Sequence, residues 1–352
     1  MMIPKFTWKN NPAISLRNEI DLKQAWDRLN NQHANQPFLS SHAVLAALHC
    51  FGNGEERLLV AFEKTELVAM FLLSPVGRFQ WRTFQPSQLP LGAWVADANT
   101  PLEDLARSLL HGPLGFCITL SVTQIDPLIA ARPQQTPDGH TIDYIETGWI
   151  DIEGSFDDYW NARGKNLRQN MRKQRSKLLI EHAELTLHVL TQTTDMAPAV
   201  AQFGRLESQG WKAQMGTAIH PDNAQGRFYR ALLEQASLLG EAVVYQYLMG
   251  QRVVAMNLCL LRQGTLVVLK TCYDEAIKTY SPAFLLREAE LQLFFKEGRI
   301  KRVEYFGRLM DWHTKFTDHK RTLHHFTMYR WPFIKKMAQY KRKNQGEWVE
   351  SA

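Results

Sequence analysis

The sequence predicts an α/β (α+β) protein made of two mixed-sheet domains flanked by helices. Three observations carry that prediction. Apolar runs of strand length come three at a time, twice, with short polar turns between them, the mark of an antiparallel meander. Each trio is followed by a helical pattern and then by further strand-like runs, the combination from which layered α/β domains are built. The chain has 352 residues, 45% of them apolar and 22% charged, enough for two hydrophobic cores and too apolar for a mainly disordered chain. Its 20 glycines and 15 prolines follow no period, which excludes a fibrous repeat.

In the first half, helices are expected at Ile20–Leu29 and, after the loop QPFLSS, at Ser41–Cys50. The first meander is Arg57–Phe62, Leu67–Leu73 and Arg78–Phe84, turned at Glu63–Glu66 and Ser74–Gly77. A helix then runs from near Pro101 to Gly112, followed by strands at Phe116–Val122 and Thr141–Ile152. The second half repeats this order. Helices are expected at Phe156–Ile180, Pro198–Trp211 and Gly226–Leu239, with Gly240 where a C-cap glycine belongs. The second meander is Glu241–Met249, Val253–Leu261 and Thr265–Tyr273. Ser281 as N-cap and Pro282 at the first helical position open a helix that Gly298 stops. Strands at Arg302–Gly307 and Thr322–Arg330 complete the half. The expected domains are therefore 1–152 and 153–332, with a basic tail over 333–352.

No stretch has the ~20 apolar residues of a membrane span, and MMIPKFTWKNNP lacks the apolar core of a secretory signal. The four cysteines, Cys50, Cys117, Cys259 and Cys272, sit in apolar runs at irregular spacing, as reduced buried thiols of a cytoplasmic protein would. No serine nucleophile elbow, Walker loop or GxGxxG occurs. His313, His319, His324 and His325 crowd one region, but their spacing fits no zinc pattern, so no metal is expected.

Net charge is +6, a mild bias toward anions. Its distribution says more: seven cations and no acids lie between Arg163 and Lys177, and a second basic run, KKMAQYKRK, spans Lys335–Lys343. Trp160, Leu167, Met171 and Leu178 form one apolar stripe at helical spacing, leaving the cations on the rest of the circumference. Such a helix is either a solvated charged face or a surface that attracts a polyanion or phosphate-bearing ligand.

The segment FDDYWNARGKNLRQNMRKQRSKL resembles the opening of the CelD-like, FemAB-related acetyltransferase domain of the GNAT superfamily. LESQGWKAQMGTAI, GRFYRALLEQAS, TYSPAFLLREAEL and VEYFGRLMDWHTKF resemble later segments in that family's order. QPFLSSHAVLAAL and LLVAFEKTELVAMFLLSPV resemble the first half of its tandem members, so the likeness covers residues from about 20 to 330. It implies two GNAT-like folds in tandem and transfer of an acyl group, acetyl first among them, from acyl-CoA to an amine, on an amino sugar or an envelope or exopolysaccharide precursor. Fem-type relatives draw on aminoacyl-tRNA instead. A non-catalytic polyanion-binding module is a third reading. Three departures stand out: Ala283 replaces the glycine of the family's SPG, Glu304 replaces an aspartate, and Thr314 stands where tyrosine often precedes Lys315.

An acyl-CoA site must seat a pyrophosphate, and a helix N-terminus offers free N–H groups and a partial positive charge. Ser281, Pro282, Ala283 and Phe284, with Lys278 just before them, are the candidate seat. By resemblance, the strand Thr265–Tyr273 supplies N–H donors to the thioester oxygen, and Tyr273 either packs, protonates the leaving thiolate or orients the amine. Glu304 or Asp311 would take the amine proton, although Arg308 and Lys315 nearby would weaken a carboxylate base, and an Asp311–Lys315 salt bridge is the plainer alternative. Lys315 matches the family's lysine and is a candidate for ligand binding or loop closure. Trp211, Lys212 and Arg308 are candidates for contacting the acceptor.

Overall fold

The structure, a computed structural model, describes residues 5–180, 184–208 and 219–344. The chain divides into two compact units: residues 1–45, 52–145 and 322–352 make one, and residues 46–51 and 146–321 make the other.

In the first unit β1 (Thr7–Pro12), β2 (Arg57–Glu63), β3 (Glu66–Gly77) and β4 (Gln80–Thr83) are antiparallel neighbours, and the short β5 (Trp94–Ala96) pairs with β3. β4 then pairs in parallel with β6 (Thr119–Ile125). Helices α1 (Ile20–Gln32), α2 (Ser41–Phe51) and α3 (Leu102–His111) follow the sequence expectation closely. Leu105, Ala106, Leu109 and Leu110 of α3 pack with Leu59, Phe71, Leu73 and Leu120 in the core, as its apolar spacing requires.

The second unit repeats the plan. Its sheet runs from the end of β7 (Gly139–Asp151) through β12 (Arg302–Glu304), β11 (Thr265–Tyr273), β10 (Arg252–Arg262) and β9 (Ala242–Met249) to β8 (Leu185–Leu190). β8 to β11 are antiparallel neighbours, β11 and β12 are parallel, and β12 and β7 are antiparallel. Around this sheet lie α4 (Phe156–Asn161), α5 (Lys165–Ile180), α6 (Thr193–Ser208), α7 (Ala224–Leu238) and α8 (Pro282–Glu297). Leu167, Met171 and Leu178 of the basic helix enter this core, so the apolar stripe docks and the cations stay outside.

Several expectations change. The strand expected at Thr322–Arg330 forms as β13 (Lys320–Tyr329), but it pairs with β6, Met328 facing Leu120, and so belongs to the first unit's sheet. The helix expected over Phe156–Ile180 is two, α4 and α5. At the break, Arg163 donates to the Phe316 carbonyl and meets Asp318, both at 3.2 Å, and Gly164 follows. The strand expected to reach Gly307 stops at Glu304, because Phe306 turns the chain with a φ of 51° and Gly307 N–H bonds the Tyr305 carbonyl. The expected basic tail contains helix α9 (Pro332–Asn344). Cys117, Cys259 and Cys272 are buried and Cys50 is half-buried, and none of the four is in a disulfide.

Candidate active site

The site begins where two strands part. β11 and β12 pair only from Thr265↔Arg302 to Val267↔Glu304, so the last six residues of β11 have no β12 partner. The β10–β11 register shifts at the same point: Cys259 faces Val268 and Leu258 faces Lys270, which leaves Leu269 as an extra, bulged residue. A bulge bends its strand and re-aims the backbone beyond it. Past the bulge Thr271 and Tyr273 share a face by strand alternation.

The chain then turns. Asp274 is buried, caps the next turn by accepting from Ala276 N–H at 2.9 Å, and pairs with Arg252. Ser281 precedes α8 with φ 55° and ψ 53°, a left-handed conformation that a non-glycine residue adopts at a cost of ~1–2 kcal/mol. Its carbonyl accepts from the N–H groups of Phe284 and Leu285 at 3.0 and 3.1 Å, but its hydroxyl caps nothing. The expected side-chain cap is therefore absent, because the left-handed turn aims the chain differently from an ordinary N-cap. Pro282 has no N–H, and the first turn of α8 holds no acid.

Between this turn and the end of β11 lies a cavity of about 350 Å³. Tyr273, Lys278, Ser281, Pro282, Ala283 and Phe284, all candidates from sequence, line it together with Thr271, Arg287 and Trp312. Tyr273 is 38% exposed at its rim. Arg287 is buried, donates to the Tyr305 hydroxyl, and lies 4.4 Å from the Trp312 ring centroid and 4.9 Å from that of Tyr305. Burial and this cation together push His313 down to about 4, so its neutral ring accepts from Met310 N–H at 2.9 Å. Two cations, a helix start and apolar walls make the cavity suited to a slender ligand with an anionic end.

Behind the wall runs a buried polar chain. Thr271 Oγ1 donates to Asn257 Oδ1 at 2.6 Å, and Asn257 Nδ2 donates to Glu290 Oε1 at 2.6 Å. Burial outweighs Arg287 and pushes Glu290 up to about 7.

A second cavity of about 500 Å³ shares Phe284 as a wall, with Arg163, Gly164, Asn166, Asn170, Lys315 and Asp318 around it. Lys315 holds its ammonium 5.3 Å from the Phe284 ring centroid, where a salt bridge to Asp311 was the plainer expectation.

The other candidates fall elsewhere. Glu304 is buried and paired with Arg321 at 2.9 Å, and it lines neither cavity. Asp311 and Arg308 are exposed and also line neither. Trp211 and Lys212 lie outside the described residues. Sequence reasoning missed Thr271, Arg287 and Trp312. No local signal marked Arg287, whose burial rests on the rings of Tyr305 and Trp312. No group of three His, Cys, Asp or Glu among the described residues is arranged to hold a metal ion.

The first unit lacks such a seat at the corresponding helix. α3 begins with Glu103 and Asp104 in its first turn, which would repel a phosphate.

The model of the family described as "Acetyltransferase (GNAT) domain" matches residues 165–321. Among solved structures, the chain is similar to FemX, with a TM-score of 0.55 at 9% identity over 90% of this chain and 98% of that one. It is also similar to L-PGS from Bacillus licheniformis, with a TM-score of 0.50 at 12% identity over 91% and 96%. At such identities these likenesses establish the fold. No curated protein matches the chain.

Proposed function

We propose that the chain, whose residues 165–321 match the family described as "Acetyltransferase (GNAT) domain", moves an acyl group, acetyl first among them, from acyl-CoA to an amine. The observation that carries this reading is the cavity at the fork of β11 and β12, where the start of α8, Lys278 and Arg287 meet the bulged strand and Tyr273.

In this reading the Ala283 N–H, the positive end of α8 and Lys278 hold the pyrophosphate, and the apolar walls Pro282, Phe284 and Trp312 hold the thin arm that leads to the thioester. Backbone N–H groups beyond the Leu269 bulge donate to the thioester oxygen as it gains charge, a contribution of ~3 kcal/mol per good donor. The amine nitrogen attacks the carbonyl carbon and the carbon–sulfur bond breaks. Tyr273 gives its phenolic proton to the sulfur and regains one from the attacking nitrogen, directly or through one water, so charge and protons balance. No carboxylate or histidine lines the cavity, so the amine must arrive neutral.

The neighbouring cavity with Arg163 and Lys315 is the proposed acceptor seat. With Arg163 paired to Asp318, Lys315 favours an acceptor that carries a carboxylate or phosphate beside its amine, as a phosphorylated amino sugar or an anionic envelope precursor would. Calorimetry with acetyl-CoA, followed by amine-dependent release of free thiol, tests the proposal. Binding and amine-dependent release are expected; absence of binding at millimolar donor would overturn it.

One observation favours a second reading, transfer from aminoacyl-tRNA. Arg172, Lys173, Arg175 and Lys177 stand exposed on one helix, α5. Salt-sensitive tRNA binding coupled to aminoacyl transfer, with no response to acyl-CoA, would select it.

A further inference from the structure

Helix α9 is packed inside out. In a surface helix the large apolar residues normally face the core and the charges face water. Here Ile334 and Ala338 turn partly inward, while Phe333 and Met337, each 57% exposed, and Tyr340, 68% exposed, share the outward face with Lys336. Their spacing of four and three puts the three apolar residues on one stripe.

The stripe does not end with the helix. Phe333 stacks on Trp331 at 5.8 Å between ring centroids, Trp331 meets Phe116 at 6.0 Å, and Phe116 meets Phe79 edge-on at 5.2 Å. Trp331 and Phe116 are themselves exposed. Apolar and aromatic side chains thus form one continuous surface ridge, longer than the scattered exposed residues a soluble domain normally carries.

Cations border the ridge. Arg78 lies over the Phe79 ring and Arg330 over Phe116 and Trp331. The α9 sequence, PFIKKMAQYKRKN, contains five basic residues and no acid. One of them is spent on attachment: Lys335 donates to the carbonyls of Thr136 and Gly139 at 2.6 and 2.8 Å, which fixes the helix with its apolar stripe outward.

We propose that this ridge docks the protein on an anionic lipid surface. A helix lying in the interface buries its apolar stripe at the headgroup boundary while lysines and arginines meet lipid phosphates, and tryptophan and tyrosine favour that depth. Charge complementarity selects an anionic bilayer over an apolar protein groove, because Lys336, Arg78 and Arg330 lie beside the ridge and the α9 sequence holds no acid.

Co-sedimentation of the full chain with vesicles of equal phosphatidylglycerol and phosphatidylcholine tests this, with phosphatidylcholine vesicles as the comparison. Binding to the mixed vesicles is expected to be at least tenfold tighter and to weaken with salt. The double variant Phe333→Ser/Met337→Ser is expected to lose at least tenfold of it, and Lys336→Glu a smaller part, with unchanged circular dichroism and acetyl-CoA binding. Vesicle binding that the double variant leaves intact would overturn the proposal, because charge alone would then explain it. So would a wild-type dimer that the double variant makes monomeric without any vesicle binding, since a second copy would then cover the ridge.

Discussion

Asn257 and Glu290 meet at 2.6 Å in the interior of the second unit, and the same asparagine accepts the Thr271 hydroxyl that lines the proposed donor cavity. The side chain of a β10 residue therefore ties the cavity wall to the third turn of α8. Its amide satisfies one carboxyl oxygen without supplying a counter-charge, so burial holds Glu290 near 7.

That shift sets a pH dependence. Glu290 in the unfolded chain ionises near 4.5 and in the folded chain near 7, so between these values the folded state binds the extra proton. This contribution to stability is fully present below the lower value and is lost as pH rises through the upper one, by about 3 kcal/mol in all. Glu290→Gln keeps an acceptor for Asn257 and cannot ionise. Urea unfolding at pH 5 and pH 8 should show the variant gaining on the wild type at the higher pH. Equal pH slopes would mean that Glu290 is not the group responsible.

Tyr273→Phe removes the proposed proton donor from a rim position where little packing is lost. The turnover rate should fall by about a hundredfold, with the KM for acetyl-CoA within twofold and stability unchanged. An unaffected rate would remove Tyr273 from the chemistry. Wild-type kcat/KM should rise with pH until the acceptor amine is deprotonated, because no carboxylate or histidine in the cavity takes its proton.

Ala283→Glu separates helix stability from ligand binding. A carboxylate in the first turn of α8 favours the helix by ~0.3–1 kcal/mol, while its charge and bulk occupy the proposed phosphate seat. Thermal unfolding should hold or improve as acetyl-CoA binding disappears from the calorimeter. Binding that persists would move the donor elsewhere.

Ser281→Gly relieves the left-handed conformation at φ 55° and loses no cap, since the Ser281 hydroxyl makes none. Offset by the greater freedom of glycine when unfolded, the expected gain is up to about 1 kcal/mol by urea unfolding. A loss of stability would show that the serine side chain contributes in a way its hydrogen bonds do not account for.

Much of this was legible in the chain because the strands of both meanders and the α8 boundaries rest on local rules: alternation, Ser281-Pro282 before the helix and Gly298 after it. The turn expected at Ser74–Gly77 lies instead at Arg78–Phe79, because Ser74–Gly77 continue β3 and pair with β4. The placement of β13 was not legible. Its alternation suits any sheet edge, and nothing local distinguishes pairing with β6 from pairing beside β12. The break at Arg163–Gly164 was hidden because the apolar stripe continues in phase on both sides, while the bonds to Phe316 and Asp318 that fix it are long-range. In the site, small and helix-starting residues pointed to 281–284, which line the cavity. Arg287 was passed over because a cation among Leu285, Leu286 and Glu288 reads as solvent-facing, and only the rings of Tyr305 and Trp312, distant in sequence, make its burial tolerable. Glu304 misled for the converse reason: its strand position suggested a base, but Arg321 closes over it.

The central claim is where the acyl donor sits, and hydrogen–deuterium exchange in millimolar acetyl-CoA measures that directly. Slowed exchange concentrated in residues 268–273 of β11 and 283–287 of α8 is the expected result. Unchanged exchange in both segments while the donor is demonstrably bound, or protection confined to the start of α3 in the first unit, would contradict it.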